Sequence, residues 1–346
     1  MTARSPAQEL RARLRRACIP AAGEGNLRIA TWNLREFGKT PRLDASIRIL
    51  AATIASFDLV SIVELRDDLT DLHRLLKALG KYGPWRVVHS DYLRDAGGNR
   101  ERVGFLYRAD RVEFTGLASN AEATRTREGD EYEAPIPWWR APFLASFSAG
   151  KFPFLLVAAH LRWGKTQAAR ETELRALGSW LQTRRKERFF GGENVLVVGD
   201  FNVANDRSQA WPALRENGLC QAPGLEGDPG TDLARGKRYD RILVTEDDQN
   251  RLTGRAGAVD LYAGSYEPLL PKTGMGDLAG RREVASRGCA LLLASRRAPS
   301  RGTSDYHAEC RSLHVRRLII RGRSELSCNR IADSLLTAAE LEVRSI

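Results

Sequence analysis

A carboxylate and a carboxamide stand together where an apolar run ends, in the segment Gly199-Asp200-Phe201-Asn202. The four residues before it, 195–198, read Val-Leu-Val-Val and predict a buried strand, and the glycine marks where the backbone leaves the sheet. The segment therefore presents two oxygen-bearing side chains at the rim of a sheet. Such a pair suits a phosphate group held beside a hard divalent cation, because Mg²⁺ prefers oxygen ligands.

Other apolar runs also begin or end in polar residues that can do chemistry. These residues are a carboxamide, two carboxylates and an imidazole, at Asn33, Glu64, Asp240 and His160. Each is weak evidence alone, since polar residues often end strands and a lone histidine is more often structural. Together with Asp200 and Asn202, they predict that one rim gathers metal-ligating and acid–base groups.

The elements that must position these groups follow a mixed order. Apolar runs predict strands over 27–33, 57–64, 85–89, 102–107, 144–147, 154–160, 195–198 and 239–244. Apolar residues at helical spacing predict helices over 44–55, 67–79 and 167–184. Strands alternate with helices at first, and a hairpin pair around Gly150 follows in the middle of the chain. We therefore expect mixed β-sheets covered by helices.

The bulk composition is typical of a soluble globular protein, with 346 residues, 42% hydrophobic and 28% charged. The apolar runs are shorter than the roughly 18 residues of a membrane helix, and the basic N-terminus lacks the apolar core of a secretory signal. Five scattered cysteines without a Cys-x-x-Cys pair favour a reducing compartment, so we expect a cytoplasmic location. The net charge of +11 favours polyanionic partners such as nucleic acid.

In chain order, these motifs resemble those of the endonuclease/exonuclease/phosphatase superfamily. The matching segments are Trp32-Asn33, Glu64, His160, Gly199-Asp200-Phe201-Asn202 and Tyr239-Asp240. The chain is most similar to the deoxyribonuclease-like branch and its uncharacterised bacterial members, whose Glu-Arg and Arg-x-Pro segments resemble residues 101–102 and 140–142. The resemblance implies a four-layer α/β/β/α sandwich of two mixed β-sheets flanked by helices. It also implies phosphoester hydrolysis that depends on Mg²⁺ or Mn²⁺.

The resemblance implies a role for each polar residue that would handle the metal and the phosphate. Glu64 is the expected metal ligand, and Asn33 would orient the metal shell or a phosphate oxygen. Asp200 would position or deprotonate the attacking water, or assist the leaving group, while Asn202 would donate to a phosphoryl oxygen. These roles are physically consistent, because the charge that develops on a phosphodiester must be neutralised by a cation and fixed donors.

The resemblance also implies residues that handle protons and hold the substrate. His160 would act as an electrostatic donor or general acid, with Glu101 bound to its other ring nitrogen. A neighbouring carboxylate fixes the orientation of an imidazole and favours its protonated form, which an acid catalyst needs. Asp240 would orient a second histidine, and Arg140 would clamp the phosphate.

The second histidine is where the chain departs from the family pattern. The family closes with a Ser-Asp-His segment, and the nearest counterpart is Thr303-Ser304-Asp305-Tyr306-His307. On this match His307 is the second catalytic histidine and Asp305 a metal ligand. One extra residue in extended backbone turns a side chain to the opposite face. Either a bulge restores the geometry, or the match is accidental and the chain, without its general base, is a weak or inactive enzyme.

The chain divides into three segments by composition. Residues 1–25 are rich in arginine and alanine and predict a basic, flexible leader with a short helix over 7–17. The catalytic domain is expected over 26–275. Residues 276–346 form an atypical Arg/Cys/Ser-rich segment with no lysine and Tyr306 as its single aromatic residue. Two interpretations of this segment stay open. It is either an ordinary basic extension, or a tail that is disordered or translated out of frame.

The sequence therefore predicts divalent-metal-dependent phosphodiester hydrolysis by a nuclease acting on DNA or RNA, as an endonuclease or an exonuclease. The Glu101 and Asp240 pattern and the basic charge favour nucleic acid as the substrate. Two alternatives stay open. One is a phosphomonoesterase or phospholipid phosphodiesterase of the same superfamily, and the other is a catalytically degenerate protein that only binds phosphate-bearing partners.

Overall fold

The computed structural model describes residues 4–17, 19, 26–92, 99–123, 125–133, 138–163, 166–187, 194–204, 211–225, 230–246, 249, 252–270 and 291–296. The helices in these ranges are α1 (Pro6–Arg16), α2 (Asp44–Ile54), α3 (Thr70–Leu79), α4 (Gln167–Lys186) and α5 (Trp211–Arg215). The strands are β1 (Asn26–Phe37), β2 (Leu59–Leu65), β3 (Trp85–His89), β4 (Arg102–Arg108), β5 (Glu113–Asn120), β6 (Thr126–Glu128), β7 (Glu131–Glu133), β8 (Phe143–Ala149), β9 (Phe152–His160), β10 (Asn194–Asp200), β11 (Leu219–Gln221), β12 (Asp240–Thr245), β13 (Leu252–Ala258) and β14 (Leu291–Arg296).

The strands form two six-stranded mixed sheets and a small β6–β7 ribbon. The first sheet has the order β13-β14-β1-β2-β4-β3, and the second has the order β11-β12-β10-β9-β8-β5. Each sheet holds one parallel pair at its centre, β1 with β2 and β9 with β10, among antiparallel neighbours. The mixed sheets expected from the sequence are therefore confirmed.

A shared hydrophobic core joins the two sheets face to face. Ile29 and Phe105 of the first sheet belong to the same buried cluster as Phe147 and Leu196 of the second. Phe105 stacks on Phe143 of the opposite sheet, with ring centroids 5.2 Å apart. Aromatic rings bury large apolar areas, so this layer is the main source of cohesion between the sheets.

The outer face of each sheet is covered by helices. The α2 and α3 helices bury Leu50 and Leu75 against the first sheet, in one cluster with Trp32 of β1. The α4 helix buries Leu177 against Val197 of β10. Because both faces of these central strands are buried, they read as continuous apolar runs rather than alternating ones. The predicted four-layer α/β/β/α sandwich is therefore confirmed.

The N-terminal segment contains the helix α1, which nearly coincides with the short helix that the sequence predicts over 7–17, and this helix packs on the domain. Ser5 and Gln8 form a capping box at the start of α1, which satisfies backbone N–H groups at the helix end. Arg13 is buried and donates to the backbone carbonyls of Tyr262 at 2.8 Å and Ser265 at 3.0 Å. Charge-assisted hydrogen bonds to buried carbonyls explain why this basic segment packs on the domain.

The first sheet extends beyond the boundary that the sequence predicts at residue 275. The β14 strand pairs antiparallel with both β1 and β13, so residues 291–296 lie inside the first sheet. These six residues are therefore part of the first sheet, although they follow the predicted boundary. The remaining residues of 276–346 lie outside the described part of the chain.

Among the described helices, none is long and apolar enough to cross a membrane.

The inter-sheet core generates a stability prediction. Phe147 is 1% exposed and its ring contacts those of Tyr107 and Phe154, so Phe147→Ala removes contacts to both sheets. We expect the free energy of unfolding to fall by about 3–5 kcal/mol, measured by urea denaturation. Tyr82→Ala, at an aromatic residue that is 45% exposed, is the control and should change it by less than about 0.5 kcal/mol. Equal effects of the two substitutions would contradict this account of the core.

Candidate active site

Strand register places three of the predicted site residues in one row across the second sheet. Asp200, the last residue of β10, lies directly opposite His160 on β9 and Asp240 on β12. Directly paired residues point to the same face of a sheet, so the three side chains share one face. In the first sheet Asn33 and Val63 are paired, which brings the next residue, Glu64, to the corresponding edge.

The amide of Asn33 joins the two sheets at this edge. Its Nδ2 donates to Oε1 of Glu64 at 2.7 Å and to Oδ2 of Asp200 at 3.0 Å. The amide is held in that orientation because its Oδ1 accepts the backbone N–H of Arg35 at 2.8 Å. The second oxygen of Glu64 accepts the backbone N–H of Glu36 at 2.9 Å. Two carboxylates, one from each sheet, are therefore fixed beside one donor.

The backbone is strained where it presents two of these side chains. Glu64 and Asn202 have φ angles of 61° and 51°, in the left-handed region that non-glycine residues seldom adopt. Such strain costs on the order of 1–3 kcal/mol per residue and clusters at functional sites. At Gly199 a Cβ atom would lie 2.0 Å from the carbonyl oxygen of Ala159, so only glycine lets β10 approach β9 closely enough to align Asp200.

Asn202 is fixed beside Asp200 by its backbone and its side chain. The backbone N–H of Asn202 donates to Oδ1 of Asp200 at 2.9 Å, and its Nδ2 donates to the carbonyl of Leu161 at 2.7 Å. The Oδ1 of Asn202 is buried and has no hydrogen-bond partner among the described residues. Leu161 directly follows His160, so this hydrogen bond connects the segment after β10 to the end of β9.

His160 lies in a buried charge cluster with Glu101 and two arginines. Its Nδ1 is 3.1 Å from Oε2 of Glu101, and Nε of Arg140 is 3.0 Å from the same oxygen. Nη1 of Arg66 lies 3.5 Å from the other oxygen of Glu101. Burial opposes ionisation of Glu101, but the hydrogen bond and charge of His160 and the charge of Arg140 outweigh it. Together they lower the pKa of Glu101 to about 2.

The carboxyl group of Asp240 is fully buried, and its hydrogen bonding is incomplete. Burial raises the pKa of Asp240 well above its ordinary value, and the nearby charges of Asp200 and Glu64 raise it further. The Thr231 hydroxyl and the Asn33 backbone N–H favour its ionised form. Even so, neither of its oxygens accepts a hydrogen bond of standard geometry from a described residue. A bound cation would stabilise such an acidic cluster, because its charge would offset the cost of the buried carboxyl groups.

The donor set is also suitable for a divalent cation. One ligand atom each from Glu64, His160 and Asp200 lies within 4.8 Å of the other two. Ligands on opposite sides of one Mg²⁺ or Ca²⁺ ion lie about 4–5 Å apart, so these atoms can share a single ion. Carboxylate oxygens dominate the set, and they suit Mg²⁺ or Mn²⁺ better than soft metals.

The structure brings most of the site residues predicted from the sequence to one rim. Those at the rim are Asn33, Glu64, Glu101, Arg140, His160, Asp200, Asn202 and Asp240. Asp305 and His307 lie outside the described residues. Sequence reasoning missed Thr231, whose buried hydroxyl accepts the backbone N–H groups of Tyr239 at 3.0 Å and Asp240 at 3.1 Å. Sequence reasoning also missed Arg66, which lies near Glu101. Both residues were missed for the same reason: no local sequence pattern distinguishes a functional threonine in a loop or a functional arginine after a strand.

Comparison with known proteins assigns a family to this arrangement. The family model described as "Endonuclease/Exonuclease/phosphatase family" matches residues 30–261. A deoxyribonuclease of Thioalkalivibrio sp. is 30% identical over 243 residues, which cover 66% of this chain and 61% of that protein. Deoxyribonuclease-1 of Mus musculus is 28% identical over 231 residues, which cover 64% of this chain and 77% of that protein. The chain thus spans about three fifths of the Thioalkalivibrio protein.

Solved structures with low sequence identity share the fold. A mannosyl-6-phosphatase of Bacteroides thetaiotaomicron aligns with a TM-score of 0.54 and 18% identity, over 78% of this chain and 99% of that chain. TDP2 of D. rerio, complexed with single strand DNA product, aligns with a TM-score of 0.52 and 17% identity, over 78% of this chain and 99% of that one. At these identities the likeness bears on the fold alone, and it agrees with the two-sheet architecture.

The charge cluster around His160 generates a pH prediction. The pKa of Glu101 is lowered to about 2 from an ordinary 4.5, so its ionised form stabilises the folded protein above about pH 5. This contribution, about 3 kcal/mol, is lost as the pH falls toward about 2. We therefore expect Glu101→Gln to lower the free energy of unfolding at pH 7 and to have little effect near pH 2. Urea denaturation across this pH range is the measurement, and a pH-independent difference between variant and wild type would contradict the ion-pair account.

Proposed function

The chain belongs to the endonuclease/exonuclease/phosphatase family, and from this we propose that it hydrolyses phosphodiester bonds of nucleic acid with a bound Mg²⁺ or Mn²⁺ ion. Members of this family are hydrolytic phosphoesterases. One observation supports the finer proposal above all others. Carboxylates from two separate sheets, Glu64 and Asp200, meet within reach of a shared ion and beside the imidazole of His160.

The metal would be held by the acidic side chains at the rim. Glu64 and Asp200 are the proposed ligands, and the carboxyl group of Asp240 interacts with the charges of both. When bound, the ion would neutralise charge on the phosphate and polarise it toward attack by water. Asn33 keeps the two carboxylates at a fixed separation, so the site is formed before the ion arrives.

The remaining residues supply donors and move protons. His160, held by Glu101 through Nδ1, would present its other nitrogen as a donor or general acid to a phosphate oxygen. Asn202 has one Nδ2 hydrogen on the Leu161 carbonyl, which leaves the second hydrogen for a phosphoryl oxygen. Asp200 would accept a proton from the attacking water. Arg140, already paired with Glu101 on one side, would contact the phosphate.

The role of Asp240 depends on a partner that the sequence places in the C-terminal segment. Neither of its oxygens accepts a hydrogen bond of standard geometry from a described residue, so either could accept one from an imidazole. His307 is our candidate for that imidazole, and Asp305 is a candidate further metal ligand. With His307 in place, the site has a second acid–base group. Without it, the same fold would bind phosphate but turn over slowly.

Nucleic acid is proposed as the substrate on two grounds. The relatives named deoxyribonuclease align over 66% and 64% of this chain. The net charge of +11 favours a polyanion over a small neutral substrate.

We also propose a cytoplasmic location, because five cysteines without paired spacing suit a reducing compartment.

A substrate panel tests the proposal. Plasmid DNA, single-stranded RNA, bis(p-nitrophenyl) phosphate and p-nitrophenyl phosphate are each incubated with Mg²⁺, Mn²⁺ or EDTA. We expect diester hydrolysis with either metal and none in EDTA. Glu64→Gln and Asp200→Asn should each lower kcat/KM by at least about 100-fold, because each removes charge at the reacting phosphate. Glu131→Gln, at an exposed carboxylate on β7, is the matched control and should leave kcat/KM unchanged.

Each contrary outcome identifies a different alternative. Faster hydrolysis of the monoester than of every diester would make the chain a phosphomonoesterase. Sphingomyelin vesicles are tested as a fifth substrate, and activity on them alone would make the chain a phospholipid phosphodiesterase. Folded protein that hydrolyses nothing with either metal would be the catalytically degenerate binding protein. Full diesterase activity of Glu64→Gln would reject the metal site itself.

A further inference from the structure

Two exposed tryptophans line a cleft beside the proposed active site. Trp139 is 54% exposed and Trp163 is 60% exposed, so neither contributes mainly to the core. They line a cleft of about 480 Å³, which we call the aromatic cleft. Its other lining residues include two arginines and two small polar residues: Arg140, Arg162, Asn99 and Thr166. Exposing two large aromatic rings in one cleft is unfavourable in water, and such patches usually mark a binding surface.

The aromatic cleft is held rigid by a single buried carboxylate. Glu173 on α4 is 2% exposed and accepts three hydrogen bonds from the walls of the cleft. The backbone N–H groups of Trp139 and Arg162 each donate to it at 3.1 Å, and Nε of Arg162 donates at 2.8 Å. The guanidinium of Arg162 lies over the ring of Trp139, 5.2 Å from its centroid. A pre-formed platform of this kind binds a ligand with less loss of conformational entropy.

The aromatic cleft is continuous with the reacting groups. Arg140 lines the cleft and contacts the same Glu101 oxygen that holds His160. Trp163 lies three residues after His160, and its ring meets the edge of Tyr239 at a centroid distance of 5.6 Å. Tyr239 directly precedes Asp240 of the rim. A phosphate at His160 would therefore have the cleft beside it, through Arg140 and Glu101.

We propose that the aromatic cleft stacks an unpaired nucleobase next to the scissile phosphate, so that the protein prefers single-stranded over double-stranded nucleic acid. The inference rests on the proposed function for the position of the phosphate. Flat indole faces with arginines at their sides match a base and its anionic backbone. A base inside a duplex is stacked on both faces by its neighbours, so its face is available only when the strand is unpaired.

Binding without hydrolysis is the direct test. The anisotropy of a fluorescent single strand of about 12 nucleotides is measured with the full chain in EDTA, beside the matched duplex and a strand of abasic residues. We expect the single strand to bind tightest. Trp139→Ala and Trp163→Ala should each weaken single-strand binding by at least about 5-fold, with smaller effects on the abasic strand. Trp139→Phe and Trp163→Phe should restore much of the affinity, because phenylalanine also stacks.

Matched controls separate stacking from folding and from catalysis. Tyr82→Ala removes an exposed aromatic ring outside the cleft and should leave all three affinities unchanged. Thermal unfolding of each variant verifies that the fold is retained. Unchanged single-strand affinity in both alanine variants, or equal loss on the abasic strand, would overturn the inference while leaving metal-dependent hydrolysis intact. Base-dependent binding by a protein that hydrolyses no diester would support the inference and reject the proposed function.

Discussion

The amide of Asn33 holds a carboxylate from each of two sheets at one edge of the protein. This arrangement constrains the rest of the structure, because Glu64 and Asp200 repel each other and Asp240 adds a third carboxyl group nearby. The neutral donors at this edge, which are the Asn33 amide and the backbone N–H groups of Glu36 and Asn202, cannot fully compensate that charge. The inter-sheet core offsets the free-energy cost of this cluster and of the backbone strain at Glu64 and Asn202. A divalent cation would relieve the repulsion, so this arrangement of carboxylates favours metal binding.

The second constraint is strand register, which determines which groups meet. Asp200 ends β10 opposite His160 and Asp240, so a one-residue slip of β10 would send its carboxylate to the helix-covered face. Gly199 protects that register, because any side chain there would collide with the Ala159 carbonyl. The same edge leads to the aromatic cleft through Arg140 and Trp163. The proposed metal-binding, acid–base and base-stacking groups thus lie along one continuous surface.

Much of the fold and most of the candidate site residues could be predicted from the sequence. Central strands such as β10 are buried on both faces, so their apolar runs are unmistakable and their polar ends are visible. The edge strand β5 was missed because its side chains are mostly exposed and carry no apolar pattern. The strand β14 was missed because its apolar run lacks flanking turn residues, and because its pairing with β1 is a long-range contact. Thr231 and Glu173 act through backbone hydrogen bonds, which sequence patterns do not reveal.

The most direct test of this account is anomalous diffraction from crystals of the full chain grown with Mn²⁺. The account predicts an anomalous peak within about 2.5 Å of carboxylate oxygens from both Glu64 and Asp200, with the Asn33 amide adjacent. No peak at this edge, or a peak bound only by residues elsewhere on the surface, would contradict the claim that the two sheets together form a metal site.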